Sequence, residues 1–588
     1  MALVLKNYKK DISMTVHNNE ISEKFSRFAD LIEIKGGNPF RARAYREASR
    51  VIGDTSEQVD QMVKEGRNLT ELKGIGGDLA GKIKEIVETG HLQLLDEMEN
   101  EIPASLLELM NIPDLGPKRI AMMHRELGID SMEDLKKALE DGKISSLKGF
   151  GKKTEQKIFT SISRPKKETG KRFLYVDAAP SALACKQYLE KRADTNKVDI
   201  AGSFRRGKET VGDLDILVTC RNGSEKDIMD AFVSFDEVVH VYEKGDTKSS
   251  VLLRNELQVD IRIVSDDSYG AAMHYFTGSK AHNIAVRKLA VRKKYKINEY
   301  GVFEGSRQIA GKTEKEVYEA VGLSYIEPEL RENLGEIEAS REKRLPRLIE
   351  EKDIRGDLHM HTTRTDGRNT LHEMAVAAKE LGYEYIAVTE HSQKVAMAGG
   401  LNEKDLREYL TYIDAANDEI DGITILKGIE VDILQDGTLD LPDSVLRELD
   451  IVIGSVHYHQ RFPARQQTDR IIRAMDNPYL QILGHPTGRL LNKRDAMEID
   501  LEKIIRAAKE KNVVIELNSQ PDRLDLPHNY CKFAADLGVK IVISTDAHSK
   551  EGFRFMKNGI REARRGWLEK EDVVNTRSLG SMRELVKR

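Results

Sequence analysis

The chain has 588 residues, 39% of them hydrophobic, 32% charged and 6% aromatic, with a formal net charge of −5. This length exceeds what a single core serves and predicts about four domains, and the mixture of apolar and charged residues excludes a collagenous, low-complexity or disordered chain. No apolar run approaches the roughly 18 residues that cross a bilayer, and the opening segment MALVLKNYKK is too short for a secretory signal, so a cytoplasmic protein is expected.

Up to about residue 160 the chain reads as short amphipathic helices broken by Gly-containing turns, with helical spacing of apolar residues in ISEKFSRFADLIEI and SMEDLKKALE. Leu72-Lys73-Gly74-Ile75-Gly76 and Leu147-Lys148-Gly149-Phe150-Gly151 share the form LKGxG, and each leads into a helix. A third copy, Ile112-Pro113-Asp114-Leu115-Gly116-Pro117-Lys118, has Asp114 in place of a glycine. Glycines let the backbone approach a phosphate, and the first N–H groups of the following helix point at it. One copy alone reads equally well as a turn between packed helices; three copies favour sequence-independent binding to a DNA backbone through Gly74, Gly76, Gly116, Gly149 and Gly151. The near-neutral net charge means that DNA would be held by local donors rather than by a global field.

The basic segment Arg164-Pro165-Lys166-Lys167 marks a join, after which strand-like runs such as VDIAGSF, LDILV and LQVDIRIV appear. Gly202-Ser203-Phe204-Arg205-Arg206-Gly207 precedes Gly212-Asp213-Leu214-Asp215. On a strand Asp213 and Asp215 share a face while Leu214 and Ile216 enter the core. Asp260, in another strand-like run, supplies a third carboxylate. Three acids at close quarters repel unless cations neutralise them, which suits two Mg²⁺ ions in phosphoryl transfer, with Ser203 and Arg206 as triphosphate ligands. A lone DxD is more often a solvated strand face; its spacing from GSFRRG strengthens the catalytic reading. A second join falls at 325–352, a highly charged stretch expected to be an exposed, partly helical tether.

From residue 354 seven short apolar runs alternate with helical segments, which implies a parallel sheet closed into a barrel. Six of the seven runs carry His, Glu or Asp at their last residue or the one before it. His359 and His361 share a strand face, and Asp366, His391, Glu430, His457, His485, Asp546 and His548 supply further N/O ligands. A single histidine at a strand end is more often structural; this many at successive ends indicate a metal cluster. Zn²⁺, Mn²⁺ or Fe²⁺ suits such donors better than Mg²⁺. Cys185, Cys220 and Cys531 form no CxxC pair and predict neither disulfides nor a thiolate site. His372, His459 and His528 read as surface or packing residues.

Residues 20 to 325 closely resemble the family X DNA polymerases, on GSFRRG, the Asp213/Asp215/Asp260 trio and Tyr275-Phe276-Thr277-Gly278-Ser279. The resemblance implies metal ligation by the three aspartates, contact of Tyr275 and Phe276 with the deoxyribose, and a nucleotide pocket including Gly202, Gly212, Gly278, Asn283 and Arg287. It also aligns Lys82 with the family's Schiff-base lysine for abasic sugar lyase chemistry, but Asp78 replaces a basic residue one turn earlier, and a lyase amine and a solvated lysine remain equal readings. Arg41, Arg43 and Tyr45 fall where a 5′-phosphate in a gap would be contacted. Residues 354–575 resemble the PHP (polymerase and histidinol phosphatase) family, which implies phosphoester hydrolysis, with Arg489 as an added charge stabiliser, and three ions: one on His359, His361, Glu430 and Asp546, one on Glu430, His457 and His485, and one on Asp366, His391 and His548. Glu390 stands where that family commonly has Asp.

Together these imply a multidomain α+β and α/β chain. Residues 1–95 form a lyase-like helix-hairpin-helix domain, 96–165 a second helix-hairpin-helix subdomain, 166–325 a nucleotidyltransferase palm with a thumb-like, dNTP-selecting subdomain, 326–352 a charged linker and 353–588 a (β/α)7 PHP barrel. The expected function is gap-filling DNA synthesis in repair, with a 3′ to 5′ exonuclease and a weaker claim to abasic-site cleavage. Its partners would be gapped or primer-template DNA and dNTPs, with no membrane, and the protein is expected to be a monomer. The rivals are a template-independent nucleotidyltransferase tethered to a small-molecule phosphatase or pyrophosphatase and, least favoured, a non-catalytic DNA clamp.

Overall fold

The computed structural model describes residues 18–55, 59–72, 74–102, 105–106, 109–112, 115–147, 149–162, 171–221 and 223–588. Lys73, Asp114, Lys148, the Arg164–Lys167 join and the first ten residues lie outside them. Two compact units result, divided between Lys171 and Arg172.

The first unit is helical. Asn18–Ile34 packs on Pro39–Asp54, whose start is fixed by Asn38 accepting the Phe40 N–H and by a proline in the first turn. Each hairpin is a one-turn 3₁₀ segment, a glycine turn and a helix: Leu69–Glu71 before Gly77–Thr89, Leu109–Asn111 before Pro117–Leu127, and Ile144–Ser146 before Lys152–Ile162. Gly74 (φ +99°) and Gly149 (φ +88°) hold backbone angles that side chains resist.

In the second unit a five-stranded sheet runs in the order Thr195–Ile200, Asp213–Cys220, Gln258–Ile263, Lys248–Leu253, Val238–Lys244. Asp213–Cys220 and Gln258–Ile263 are parallel, with Asp215 opposite Asp260. The helices Tyr269–Thr277, Lys280–Arg292 and Glu314–Val321 pack with a three-stranded antiparallel sheet over 295–310. The 325–352 segment is not an exposed tether. Ile326, Leu330, Ile337 and Leu348 join the core formed by Val286, Val317 and Tyr318. Two of its charges are internal: Arg331 is fully buried, with Nη1 donating to Glu314 Oε1 at 2.6 Å, and Glu336 accepts from the Asn333 and Leu334 N–H groups, while Glu338, Arg341, Glu342, Lys343 and Arg344 stay exposed. Composition reported the charges but not their partners.

The last part is the expected barrel, seven parallel strands in sequence order from Gly356–Asp357 to Ile541–Ser544. Its ends meet through a parallel bridge between Met360 and Ala547, and Asn575 spans them with hydrogen bonds to Gly356 O and Ile543 O, both 2.8 Å. The closed parallel order forces the strand C-termini, and the His, Asp and Glu that end them, to one rim.

Candidate active sites

Asp213 and Asp215 leave one face of their strand and Asp260 stands beside Asp215, so three carboxylates share a patch. Burial, then Asp213 and Asp260, push the Asp215 carboxyl up to about 7; burial and Asp260 also raise Asp213. Gly202, at φ +65°, closes the patch: a Cβ there would lie 2.5 Å from Asp215 Oδ2, so the site requires glycine. Because the folded, metal-free protein keeps a proton on Asp215 that the unfolded chain releases near pH 4, stability present below that pH is lost as pH rises towards 7. Asp215→Asn escapes this loss. In EDTA its melting temperature will exceed the parent's by a margin that widens between pH 5 and 7.5 to about 2–4 °C, and Mg²⁺ will raise only the parent; a margin independent of pH would refute the assignment.

The nucleotide-pocket residues also converge. Tyr275 and Phe276 rings meet edge-on at 5.0 Å, the Arg287 guanidinium lies 5.1 Å over Tyr275, and Arg262 lies 4.8 Å over Phe276. Asn283 Nδ2 donates to Tyr275 O at 2.7 Å, while its buried Oδ1 has no hydrogen-bond partner. Gly278, at φ +70°, ends the Tyr269–Thr277 helix, and Gly212 directly precedes Asp213. Ser203 lies in the short turn Gly202–Arg205. Arg206 is held by a residue the sequence reading missed: its Nε donates to Glu332 Oε1 at 3.0 Å, and its Nη1 to Thr277 O at 2.5 Å.

At the barrel rim all nine expected ligands come together around Glu430. Its Oε2 lies 3.5 Å from His359 Nε2, 3.6 Å from His361 Nε2 and 2.9 Å from His391 Nδ1; its Oε1 lies 3.4 Å from His457 Nε2 and 2.9 Å from His485 Nε2. Asp546 Oδ1 is 3.3 Å from His361 and 3.6 Å from His548, and Asp366 Oδ2 is 3.5 Å from His391 and 3.4 Å from His548. His391 thus faces both Glu430 and Asp366, so it joins the second group as well as the third, and His361 joins the third as well as the first. The fit to cations is direct: His359 Nε2, both His361 ring nitrogens, His391 Nδ1 and Glu430 Oε2 are buried without hydrogen-bond partners. Against the cost of burial, Glu430 and Asp366 raise His391 to about 10, and Glu430 and Asp432 raise His457 to about 9. Cations would replace these protons. Asp546 (φ +51°) and His485 (φ +24°) hold strained backbone angles, as functional residues often do.

Supporting carboxylates were not anticipated. Glu516 accepts from His359 Nδ1 at 2.7 Å and from the His485 N–H at 2.7 Å, and Asp432 from His457 Nδ1 at 3.2 Å. These fix ring orientation. Glu390 accepts from the Thr362 N–H at 3.1 Å and from Thr362 and Thr365 hydroxyls, bracing the loop that carries His361 and Asp366. Arg489 does not stabilise charge at this rim: its guanidinium is committed to Glu209 and to the carbonyls of Arg523 and Leu524. Arg523 is the nearby cation, 3.9 Å from Asp546 Oδ2. Of the two readings of His528 the structure gives the packing one: its half-buried ring lies between Glu562 and Arg565, at 3.1 Å from each.

In the helical unit Gly76 and Gly116 start their helices without a side-chain cap, and Gly151 is exposed beside the third helix. Arg41 and Arg43 are exposed. Tyr45 is 1% exposed, edge-on to Phe25 and Phe28 at 5.2 and 4.7 Å, because it shares the inward helix face with Ala42, Ala48 and Ile52. It is a core residue, and its buried hydroxyl is not open to the expected 5′-phosphate. Lys82 Nζ lies 3.9 Å from Asp78 Oδ1, so the amine has a carboxylate beside it where lyase chemistry favours a cation. Borohydride trapping on a 5′-deoxyribose phosphate substrate will therefore give no more adduct with the parent than with Lys82→Ala; a tenfold excess (about 1.4 kcal/mol) would establish the lyase.

Family models match successive stretches: a helix-hairpin-helix domain (residues 16–92), a SAM-like helix-hairpin-helix tandem (106–162), the DNA polymerase beta palm (178–284), the DNA polymerase beta thumb (272–332) and the PHP domain (357–520). Over 577 residues, 97% of this chain and 100% of its relative, the sequence is 38% identical to the DNA polymerase/3'-5' exonuclease PolX of Bacillus subtilis (strain 168). It is 27% identical to DNA polymerase lambda of Rattus norvegicus over 54% of this chain and 57% of that one. Over 242 residues, 39% of this chain and 94% of its relative, the sequence is 32% identical to a protein named as a probable phosphatase of Thermoanaerobacter sp. (strain X514). The fold and both sites define a nucleotidyltransferase joined to a phosphoesterase barrel. The chain belongs to the family X DNA polymerases that carry a C-terminal PHP domain.

Proposed function

We propose that this polymerase fills short gaps in DNA during repair and that its barrel removes nucleotides from 3′ ends. The observation that carries the reading is the coexistence, in one compact unit, of the Asp213/Asp215/Asp260 patch with the Tyr275 cluster, and of a separate nine-residue rim centred on Glu430. The helical parts up to residue 165 would hold the DNA backbone through their glycine turns, residues 166–325 would select and join the nucleotide, and the barrel from residue 353 would hydrolyse phosphodiesters. Asp213, Asp215 and Asp260, an all-oxygen set, would hold Mg²⁺, and the His-rich rim Mn²⁺, Zn²⁺ or Fe²⁺. When bound, such ions supply charge neutralisation and Lewis acidity at phosphorus. The protein's own groups do the rest: Ser203 and Arg206 hold the triphosphate, the Tyr275 and Phe276 rings set the space beside the sugar, Asn283 and Arg287 face the base, and Glu516 and Asp432 fix the imidazoles.

A gapped duplex labelled on its primer tests this. With dNTPs and Mg²⁺ the protein should insert the nucleotide complementary to the template; with Mn²⁺ and no dNTPs it should release mononucleotides from the 3′ end of single-stranded DNA. Insertion that ignores the template base would favour a template-independent transferase, and phosphate release from free mononucleotides without DNA degradation would favour a small-molecule phosphatase.

A further inference from the structure

Between palm and barrel lies a set of charges built around Glu332, to which both parts contribute. Barrel helix Met556–Arg565 ends against the loop Gly202–Gly207. Arg565, 2% exposed in its side chain, donates from Nη1 to Arg206 O at 3.0 Å and lies 3.5 Å from Glu332 Oε1. Glu332 is also the partner of the Arg206 side chain at 3.0 Å and of Lys208 at 3.5 Å, so one carboxylate is shared by three cations, one of them from the barrel. A turn earlier on the same helix, the Arg561 guanidinium lies 3.6 Å over the Tyr175 ring, which stacks on Phe204 of the loop at 4.2 Å. The Arg561 stem fills the space at Gly207, where a Cβ would come within 2.6 Å of its Cγ. Two independent contacts therefore join the barrel helix to the triphosphate loop.

We propose that Arg565 is a positioning residue for nucleotide binding at the polymerase site, through its share of Glu332. For Arg206 to reach a triphosphate it must leave Glu332, and a buried carboxylate that loses its partner is costly. With Arg565 and Lys208 in place Glu332 keeps counter-charge when Arg206 departs. Without Arg565, Glu332 retains Arg206 and nucleotide affinity falls. The PHP barrel thereby sets dNTP affinity in the palm independently of its own metal chemistry. The inference rests on the reading of Arg206 as a triphosphate ligand.

The test is steady-state single-nucleotide gap filling by the full-length protein. Arg565→Met should raise KM for dNTP about tenfold with kcat changed by less than about threefold. Glu332→Gln should leave KM at or below the parent's, and adding it to Arg565→Met should bring KM back to within about threefold of the parent. Because Glu332→Gln would also relieve a fold destabilised by the missing arginine, each variant must in addition release nucleotides from single-stranded DNA within about twofold of the parental rate, which reports that the barrel remains folded. A KM for Arg565→Met within twofold of the parent, or a double variant as impaired as the single one, would overturn the proposal. Arg206→Ala separates the two layers: if it leaves KM unchanged, the underlying assignment of Arg206 is wrong, whereas a raised KM with Arg565→Met unaffected removes the barrel's role alone.

Discussion

Asp260→Ala will lower template-directed gap filling by about a thousandfold or more and leave 3′-end degradation within about twofold of the parent. Asp260 is the one member of the trio that comes from a different strand, and its register opposite Asp215 is what turns a two-carboxylate strand face into a pocket. Its removal leaves Asp213 and Asp215 with too few oxygens to hold cations against a triphosphate, and the Gln258 amide that donates to both Asp260 oxygens, at 3.4 and 3.3 Å, brings no charge in its place. The same change removes one of the charges that raise Asp215 and Asp213, so the metal-free variant should melt no lower than the parent. Loss of synthesis without loss of stability is the signature of a metal ligand. Single-turnover extension of a gapped duplex, followed beside nucleotide release from single-stranded DNA in the same preparation, reads both activities. Parallel loss of the two would mean that they share one centre, and the separate-site reading would fall.

How much of this was legible in the sequence depended on whether a residue's partners are local. The barrel was readable strand by strand, because each strand is a short apolar run and its ligand is the next polar residue; parallel closure then does the assembling. Asp213, Asp215 and Gly202 were readable for the same reason. Glu516 was missed although it carried a signal, a carboxylate inside the apolar run VVIELN, where an uncompensated charge would not be tolerated. Tyr45 was misread because a likeness in position outweighed helix periodicity, which places it in line with Ala42 and Ile52. Long-range charge pairing had no such signal. Arg331 with Glu314 and Arg489 with Glu209 are 17 and 280 positions apart, and nothing in composition separates a solvated charge from a buried, paired one. The 325–352 segment and Arg489 were misplaced on that account.

At the other site the largest effect should come from Glu430→Gln. Glu430 is 1% exposed and is the one carboxylate among the described rim residues that faces five imidazoles: His359, His361 and His391 on one oxygen, His457 and His485 on the other. The amide keeps the volume and one acceptor, so packing is preserved, but it loses the charge and presents an N–H₂ group towards nitrogens that must act as donors to a cation. Degradation of 3′ ends should fall by about a thousandfold and bound transition metal by at least one ion per chain, while gap filling stays within about twofold. Metal content by elemental analysis distinguishes this from a general loss of fold, as does His372→Ala, a change at an exposed histidine away from the cluster that should alter neither activity nor metal content. The direction of the stability change also discriminates. Without ions Glu430 is held ionised, against its burial, by the charges of His457, His359 and His391, so those histidines lose their counter-charge in the variant and release protons more readily. The metal-free variant should consequently tolerate mildly acidic solution less well than the parent. Were Glu430→Gln to keep its metals and degrade DNA at the parental rate, the rim would be an ordinary buried ion network, and hydrolysis would have to be sought elsewhere on the chain.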